Sequence, residues 1–599
     1  MLEFNRYIMN ETKRLVCAFA LFIISNIALA QLPPVFPANR NQSSQSTDIV
    51  TRYLPPTRIL WQTPGAEGLI RDAKNLLIPG NGQADLVNKR IAVLKSSGPL
   101  RPGILLDFGK ELHGGLQIVS GMSPGGKPVR LRVRFGESAS EAMSEIEPKQ
   151  NATNDHAIRD MVVLVPWLGK IEIGNTGFRF VRVDLVDDST ELHLKEVNAI
   201  FKYRDIPYLG SFNSSDSLLN RIWMTGAYTV HLNMQEFLWD GIKRDRLVWI
   251  GDMHPETSTI SAVFGTNEVV NKSLDLARDI TDLPQWMNGI STYSMWWVII
   301  HRDWYKSSGD LAYLKQQKDY LVKLLNHLVT KIDEKNSEKL DGHRFLDWPS
   351  SENPKGIHAG LQSMMVLTLT AGAELAGILN DKQTAAKCTE AVNRLKKYVP
   401  DPNNSKQAAA LLALSGLVPA EKANQVLADG GAKNFSTFYG YYMLQAKAKA
   451  GDYQGAIDAI REYWGAMINL GATTFWEDFN LSWLPNASRV DELPKQGEVD
   501  IHGDYGAYCY IGFRHSLAHG WASGPTPWLS EHVLGIQVME PGCKVVKIEP
   551  HLGDLTFAEG TFPTPYGVIK VKHSKDANGK IKSEISAPKE IKILRASKR

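Results

Sequence analysis

Hydrophobic periodicity changes twice along this chain, and those changes constrain the fold more than composition does. From about residue 50 to 205 apolar and polar residues alternate, as in Val129-Arg130-Leu131-Arg132-Val133-Arg134-Phe135 and Phe178-Arg179-Phe180-Val181-Arg182-Val183-Asp184-Leu185. Ile104-Leu105-Leu106-Asp107-Phe108 is a third such run, and turns such as Pro124-Gly125-Gly126-Lys127 separate the segments. Period-two alternation with frequent turns predicts antiparallel sheet with one face on a core, here a β-sandwich of jelly-roll type over 49–208. Near Ser211 the spacing becomes helical. Ser214-Ser215-Asp216 reads as the cap of a helix over 217–237, and further helices are expected over 311–332, 358–379, 382–398, 406–415, 437–450 and 453–467. Paired helices joined by unequal loops, without a fixed repeat, suit an (α/α) toroid better than a solenoid. After Gly535 alternation returns over 544–548, 568–573 and 581–585, with Gly560, Pro563, Pro565 and Gly567 at the turns. The expected fold class is therefore multidomain α+β: the sandwich, a helical domain over 209–533, and a small C-terminal β domain over 534–599.

Lys13 and Arg14 precede an apolar run over 15–24, and Ala28-Leu29-Ala30 before Gln31 is a small-x-small cleavage site. Residues 1–30 are expected to be a signal peptide cut after Ala30, followed by a flexible lead over 31–48 and a periplasmic or secreted product. The apolar run is short for a membrane span, so no insertion is expected once the signal is removed. With 67 basic and 64 acidic residues, the chain offers no electrostatic case for nucleic acid. Cys17 leaves with the signal. Cys388, Cys509 and Cys543 are odd in number and widely spaced, which argues against a disulfide framework and for free thiols.

One segment carries an unusual mixture of chemistry: Leu238-Trp239-Asp240-Gly241-Ile242-Lys243-Arg244-Asp245-Arg246-Leu247-Val248-Trp249-Ile250-Gly251-Asp252. Three carboxylates and three bases lie around two indoles. Such a run either pairs its own charges on a loop, or presents carboxylates beside aromatic faces to a polar, flat-faced ligand such as a sugar. Further acids and histidines have tryptophan close by. Trp286, Trp296, Trp297 and Trp304 lie near His301, Arg302 and Asp303; Asp347 adjoins Trp348; Trp476 adjoins Glu477; His519 is followed by Trp521. A lone tryptophan is usually core, but several on separate loops can converge on one face of a toroid. Glycoside hydrolysis needs two carboxyl groups, and the segment 238–252 with the Trp476-Glu477 loop are the best suppliers. HExxH, Walker-type and dinucleotide-binding patterns are lacking, and His515 with His519 has no third ligand nearby. No cofactor and no metal is expected.

These residues resemble the bacterial α-L-rhamnosidases of glycoside hydrolase family 78. The family signature is Asp, four residues, an acid, Arg-Leu-Gly-Trp, one residue, Gly-Asp, which here runs from Asp240 to Asp252. The resemblance continues through Ala472-Thr473-Thr474-Phe475-Trp476-Glu477, Ser516-Leu517-Ala518-His519-Gly520-Trp521, Pro541-Gly542-Cys543 and Thr564-Pro565-Tyr566-Gly567. It implies an (α/α)6 barrel and inverting hydrolysis of terminal α-L-rhamnosyl groups on an oligosaccharide or polysaccharide. By position, Asp245 matches the general acid and Glu477 the general base. Asp240 and Asp252 match carboxylates that hold the sugar, His519 lines the site, and Trp249 offers a wall to the 6-deoxy ring. Arg244, Trp297, Asp347, Trp348, Trp476 and Trp521 complete the candidate sugar contacts. Two positions depart from the family: Asp245 stands where Glu is common, one methylene shorter, and Val248 replaces Gly. Glu256 is accordingly the alternative acid. Two other functions stay open, a six-hairpin glycosidase or lyase for a different sugar and an inactive carbohydrate-binding protein.

Overall fold

A computed structural model describes residues 49–87, 89–146 and 151–595. The expected signal peptide and lead lie outside the described residues. The N-terminal strands join in one antiparallel sheet, in the order Ile70–Arg71, Ala92–Lys95, Glu191–Arg204, Gly103–Ser120, Gly169–Leu185, Val129–Gly136, Asp160–Val165. Ile49–Leu54 pairs along Glu191–Arg204, and Arg58–Gln62 along Gly103–Ser120. Register shifts between Asp107 and Leu112, and again between Gly114 and Leu116, mark irregularities in the longest strand. Such irregularities bend a strand and increase its twist.

Alternation predicted one apolar and one polar face. Along Gly103–Ser120 nearly every residue is buried, the polar Asp107, Glu111 and Gln117 included. On the face opposite Ile104 and Leu106, Leu105 packs with Phe180 and with Ala139 and Ala142 of the short helix Ala139–Met143. The helical domain enters the main core. Tyr228 and Leu232 of the helix Ser217–Asn233, with Ile242 and Ala518 from two loops, belong to the same apolar core as Ile104, Leu116, Val133, Val181 and Phe201. Ion pairs on the buried Asp107 fasten the seam. Asp107 pairs with Arg179 at 2.9 Å and Arg58 at 2.8 Å, while Arg179 donates to the Gly471 carbonyl at 3.1 Å.

In the helical domain Asp216 caps Ser217–Asn233 by accepting from the Leu218 and Leu219 amides. The expected helix over 311–332 is two, Leu311–Gln316 and Lys318–Val329, and the one expected over 358–379 begins earlier, as Pro354–Ile378. Met253–Val263, Glu268–Asp279, Ser291–Ser308 and Ala420–Ala428 are additional helices. Ser291–Ser308 carries Trp296, Trp297 and Trp304, so these tryptophans stand on a helix and not on the loops where tryptophans are expected to converge. Through Met295–His301 every residue is buried, so no apolar stripe betrays the helical period. The last long helix, Tyr453–Asn469, packs back against the first, Ser217–Asn233, and closes the series.

The strand Ser211–Ser214, within the range assigned to the helical domain, pairs with Phe557–Thr564 of a C-terminal sheet completed by Gly567–Lys575 and Ile581–Ser586. A second small sheet joins Ile536–Val538, Val545–Ile548 and Lys592–Arg595, the last pair parallel. The helical segment is thus tied down at both ends by one β domain.

At Gly177 the N-terminal sheet touches the loop 238–252 directly: a Cβ there would lie 2.8 Å from Ile242 Cγ1 and 2.8 Å from the Lys243 amide nitrogen. Gly177→Ala is expected to cost about 1–3 kcal/mol by forcing the two apart. Denaturant unfolding measures this, and a variant as stable as the parent would show that the contact is loose.

Candidate active site

The loop between the helices Ser217–Asn233 and Met253–Val263 is held from three sides. Its own backbone closes a turn, with the Asp240 amide donating to Leu247 O at 3.1 Å and the Leu247 amide to Asp240 Oδ1 at 2.9 Å. The Asp240 carbonyl accepts from the Gly520 amide at 2.8 Å and from Asn233 Nδ2 at 3.0 Å, which sets Gly241 beside His519. Lys243 reaches between domains. Its ammonium donates to Phe513 O and His515 O at 2.8 and 2.6 Å and pairs with Glu137 at 3.0 Å. Glu137, Glu141 and His502 together have the donor types of a metal site. The Lys243 ammonium, also 3.4 Å from Glu141, supplies the positive charge there.

Asp245 and Arg246 both have φ of 54°, two consecutive non-glycine residues in the left-handed region. Strain of this kind persists only where the surroundings enforce it. Here Arg246 donates to Asn175 O at 2.9 Å and His156 O at 3.3 Å. His156, also from the N-terminal domain, places Nδ1 2.9 Å from Asp245 Oδ1 while its Nε2 accepts from Arg514 Nη2 at 2.6 Å.

Arg244 organises the centre. Nη2 donates to both oxygens of Glu477, at 2.9 and 2.8 Å, Nη1 to Asp245 at 3.2 Å, and Nε to Arg514 O at 2.6 Å. Four of its five N–H donors are thus engaged within the protein, and it bridges two carboxylates at the wall of a cavity. The fork of one guanidinium keeps the nearest carboxylate oxygens within about 8 Å of each other. The Ser516 amide adds a bond to Glu477 Oε2 at 3.1 Å, while the Glu477 carbonyl accepts from Thr437 Oγ1 and Trp521 Nε1 at 2.6 and 2.8 Å. His519 Nε2 bonds Asp252 Oδ1 at 2.8 Å, and Nδ1, 3.8 Å from Glu477 Oε1, makes no hydrogen bond among the described residues. Burial alone would lower the His519 pKa, but the charge of Glu477 and the bond to Asp252 push it up to about 9. Burial pushes the Asp240 and Asp252 carboxyls upward.

These groups line a cavity of about 290 Å³. Of the residues expected there, Asp240, Arg244, Asp245, Trp249, Asp252, Trp348, Glu477, His519 and Trp521 all border it. Four do not. Trp297 is fully buried and donates to Leu274 O; Trp476 is 1% exposed and packs edge-on to Phe479. Asp347 is consumed by Ser436 at 2.6 Å, Gln407 at 3.0 Å and the Ser350 amide at 3.1 Å. Glu256, the alternative acid, is fully buried on Asn233 Nδ2 at 3.1 Å and sealed behind Gly520, where a Cβ would come within 1.7 Å of its Oε1. His515 and His519 lie on no common helix, and His515 accepts from the Asp478 amide at 2.9 Å. Tyr293, Phe345, Cys509 and Tyr510 border the cavity unforeseen. The run Tyr505-Gly506-Ala507-Tyr508-Cys509-Tyr510 was the available signal, since glycine beside clustered tyrosines marks a shaped aromatic loop. Of the expected free thiols, Cys388 and Cys543 are buried, and Cys509 is half-buried at the cavity.

The family model for the bacterial α-L-rhamnosidase six-hairpin glycosidase domain matches residues 207–532, more than half of the chain. The chain belongs to this family. The model for the C-terminal domain of bacterial α-L-rhamnosidases matches 535–593. An α-L-rhamnosidase of Formosa agariphila is 23% identical over 494 residues, 73% of this chain and 49% of the relative, so the chain spans about half of that protein's length. Two solved structures are similar. A family 78 rhamnosidase of Bacillus sp. GL1 has a TM-score of 0.71 at 22% identity, over 88% of this chain and 55% of the other. A rhamnosidase of Klebsiella oxytoca, solved with rhamnose bound, has a TM-score of 0.63 at 20% identity, over 81% and 96%. These likenesses establish the fold, a helical domain with β-sheet domains.

Two measurements probe the charge network. Arg244→Met leaves the buried Glu477 without its partner and should destabilise the protein by about 3–5 kcal/mol, part of which Glu477→Gln in the same chain restores. A loss near zero in denaturant unfolding would mean that the carboxylate is solvated. His519 has its folded pKa raised from 6.5 to about 9. Its contribution is therefore complete below pH 6.5 and fades as pH rises through 9, by roughly 3 kcal/mol for a shift of that size. Unfolding at pH 6 and pH 10 should show that loss in the parent and not in His519→Gln.

Proposed function

We propose that this chain is an exported α-L-rhamnosidase that releases terminal α-L-rhamnosyl groups from a glycan with inversion. The observation that carries the reading is the Arg244 bridge, which sets Asp245 and Glu477 apart at one aromatic-walled cavity. Family membership gives the sugar: the relatives named above are rhamnosidases, one of them holding rhamnose.

In this mechanism Glu477 accepts a proton from water, and the water oxygen bonds the anomeric carbon. Asp245 gives its proton to the glycosidic oxygen as that oxygen's bond to the anomeric carbon breaks. The products are β-L-rhamnose and the freed alcohol, with one proton moved from the acid and one gained by the base. The bridge bounds the separation at about 8 Å, which admits both the roughly 6.5–9.5 Å spacing of inverting enzymes and the roughly 5–5.5 Å of retaining ones, so the anomer of the product decides between them. Asp240, Asp252 and the Nδ1–H of His519 hold hydroxyl groups, and Trp249, Trp348 and Trp521 enclose the apolar face of the 6-deoxy ring. The surrounding architecture is read as an (α/α)6 barrel preceded by a jelly-roll-like sandwich, and the product as periplasmic or secreted after cleavage at Ala30.

Asp245→Asn and Glu477→Gln should each lower turnover of an aryl α-L-rhamnoside by about 10²–10⁴-fold. Proton NMR of the first product should show the inverted anomer. Undiminished activity in both variants would defeat the assignment, a retained anomer would defeat the mechanism, and an unsaturated product would indicate a lyase.

A further inference from the structure

A second cavity, of about 420 Å³, opens at the seam of the N-terminal and helical domains. Lys110 enters it from the strand Gly103–Ser120, Arg221 from the helix Ser217–Asn233, and Thr473 from the turn that leads to Glu477. Its lining holds two cations and no acid. Among the described residues neither Lys110 nor Arg221 forms an ion pair or hydrogen bond. The Lys110 ammonium only sits over the Tyr228 ring, 5.3 Å from its centroid. Acids in the neighbourhood are otherwise engaged. Asp107 is taken by Arg179 and Arg58, and Glu559 by Asn213 at 3.0 Å and Lys572 at 3.6 Å. Glu111 is buried, and burial together with Glu137 and Glu141 holds its carboxyl well above the usual range.

We propose that this cavity binds an oxyanion group, carboxylate or sulfate, carried on a sugar. Lys110 is half-buried and Arg221 is exposed to solvent at the cavity, so an anion placed between them would make charge-assisted hydrogen bonds to both. Burial, then the charges of Arg179 and Arg221, lower the Lys110 pKa to about 8. Thr473 Oγ1 accepts from the Glu111 amide at 3.0 Å, which leaves its hydroxyl hydrogen to donate into the cavity. Phe212, Met224 and Ile468 form an apolar side to the same space. A water occupies about 30 Å³ of liquid, so a volume of 420 Å³ has room for a monosaccharide as well as its acid group. The cavity shares no lining residue with the one that holds Asp245 and Glu477, so it is a site separate from the catalytic one.

Calorimetric titration of the full chain at fixed ionic strength tests this, with glucuronate, glucose 6-sulfate, inorganic sulfate and neutral glucose. The charged sugars should bind and glucose should not. Lys110→Met and Arg221→Gln should each weaken binding about tenfold or more, and Lys110→Arg should retain it. Thermal melting checks that the variants are folded, and turnover of a small aryl rhamnoside should be unchanged in all three, so failure here leaves the catalytic reading intact. Inorganic sulfate binding as tightly as glucose 6-sulfate would overturn the sugar-borne part. No anion binding, or binding unaffected by both charge-removing variants, would overturn the site.

Discussion

Arg244 is the interaction on which the site depends. Taking a guanidinium and two carboxylates largely out of water is costly, and the pairing offsets that cost only when the geometry satisfies most donors. Nε, Nη1 and Nη2 all have partners, and those partners come from separate parts of the chain: Asp245 beside it, Glu477 on a distant loop, and Arg514 on a third. The cluster orders three loops by one electrostatic requirement. Lys243, one residue earlier, does the same toward the N-terminal domain through Glu137 and two carbonyls. Adjacent basic residues thus face opposite ways, one into the cavity and one into the domain seam.

That seam is more than packing. The N-terminal sheet draws Tyr228, Leu232, Ile242 and Ala518 of the helical domain into its own apolar core. Through His156 and Asn175 it in turn holds the left-handed turn that carries Asp245. A strained backbone needs rigid surroundings, and a sheet secured by Asp107, Arg179 and Arg58 provides them. The β domain therefore takes part in shaping the candidate acid.

Much of the site was legible because the charged segment, Glu477 and His519 each sit beside aromatic residues. Two of the misplacements, Trp476 and Asp347, share one cause. Neighbours in an extended segment point to opposite sides, and next-but-one residues point to the same side. Glu477 faces the cavity, so Trp476 faces the core; Trp348 faces the cavity, so Asp347 is buried on Ser436 and Gln407. His519 and Trp521, two apart, both line it. Glu256 lies four residues beyond Asp252 on a helix, about 6 Å further along its axis, and Gly520 closes over it. Trp297 was misread because the helix Ser291–Ser308 is buried nearly all round.

Sequence alone determined the order of β, helical and β segments, since side-chain periodicity is a local property that the hydrophobic effect imposes on each element. It also determined which segments supply carboxylates and indoles. Only the tertiary structure decided which of those side chains meet, because convergence depends on loop paths and on long-range pairings such as Arg244 with Glu477, 233 residues apart. It decided as well that Ser211–Ser214 belongs to a sheet completed by Phe557–Thr564. Backbone hydrogen bonds of that range leave no trace in local spacing.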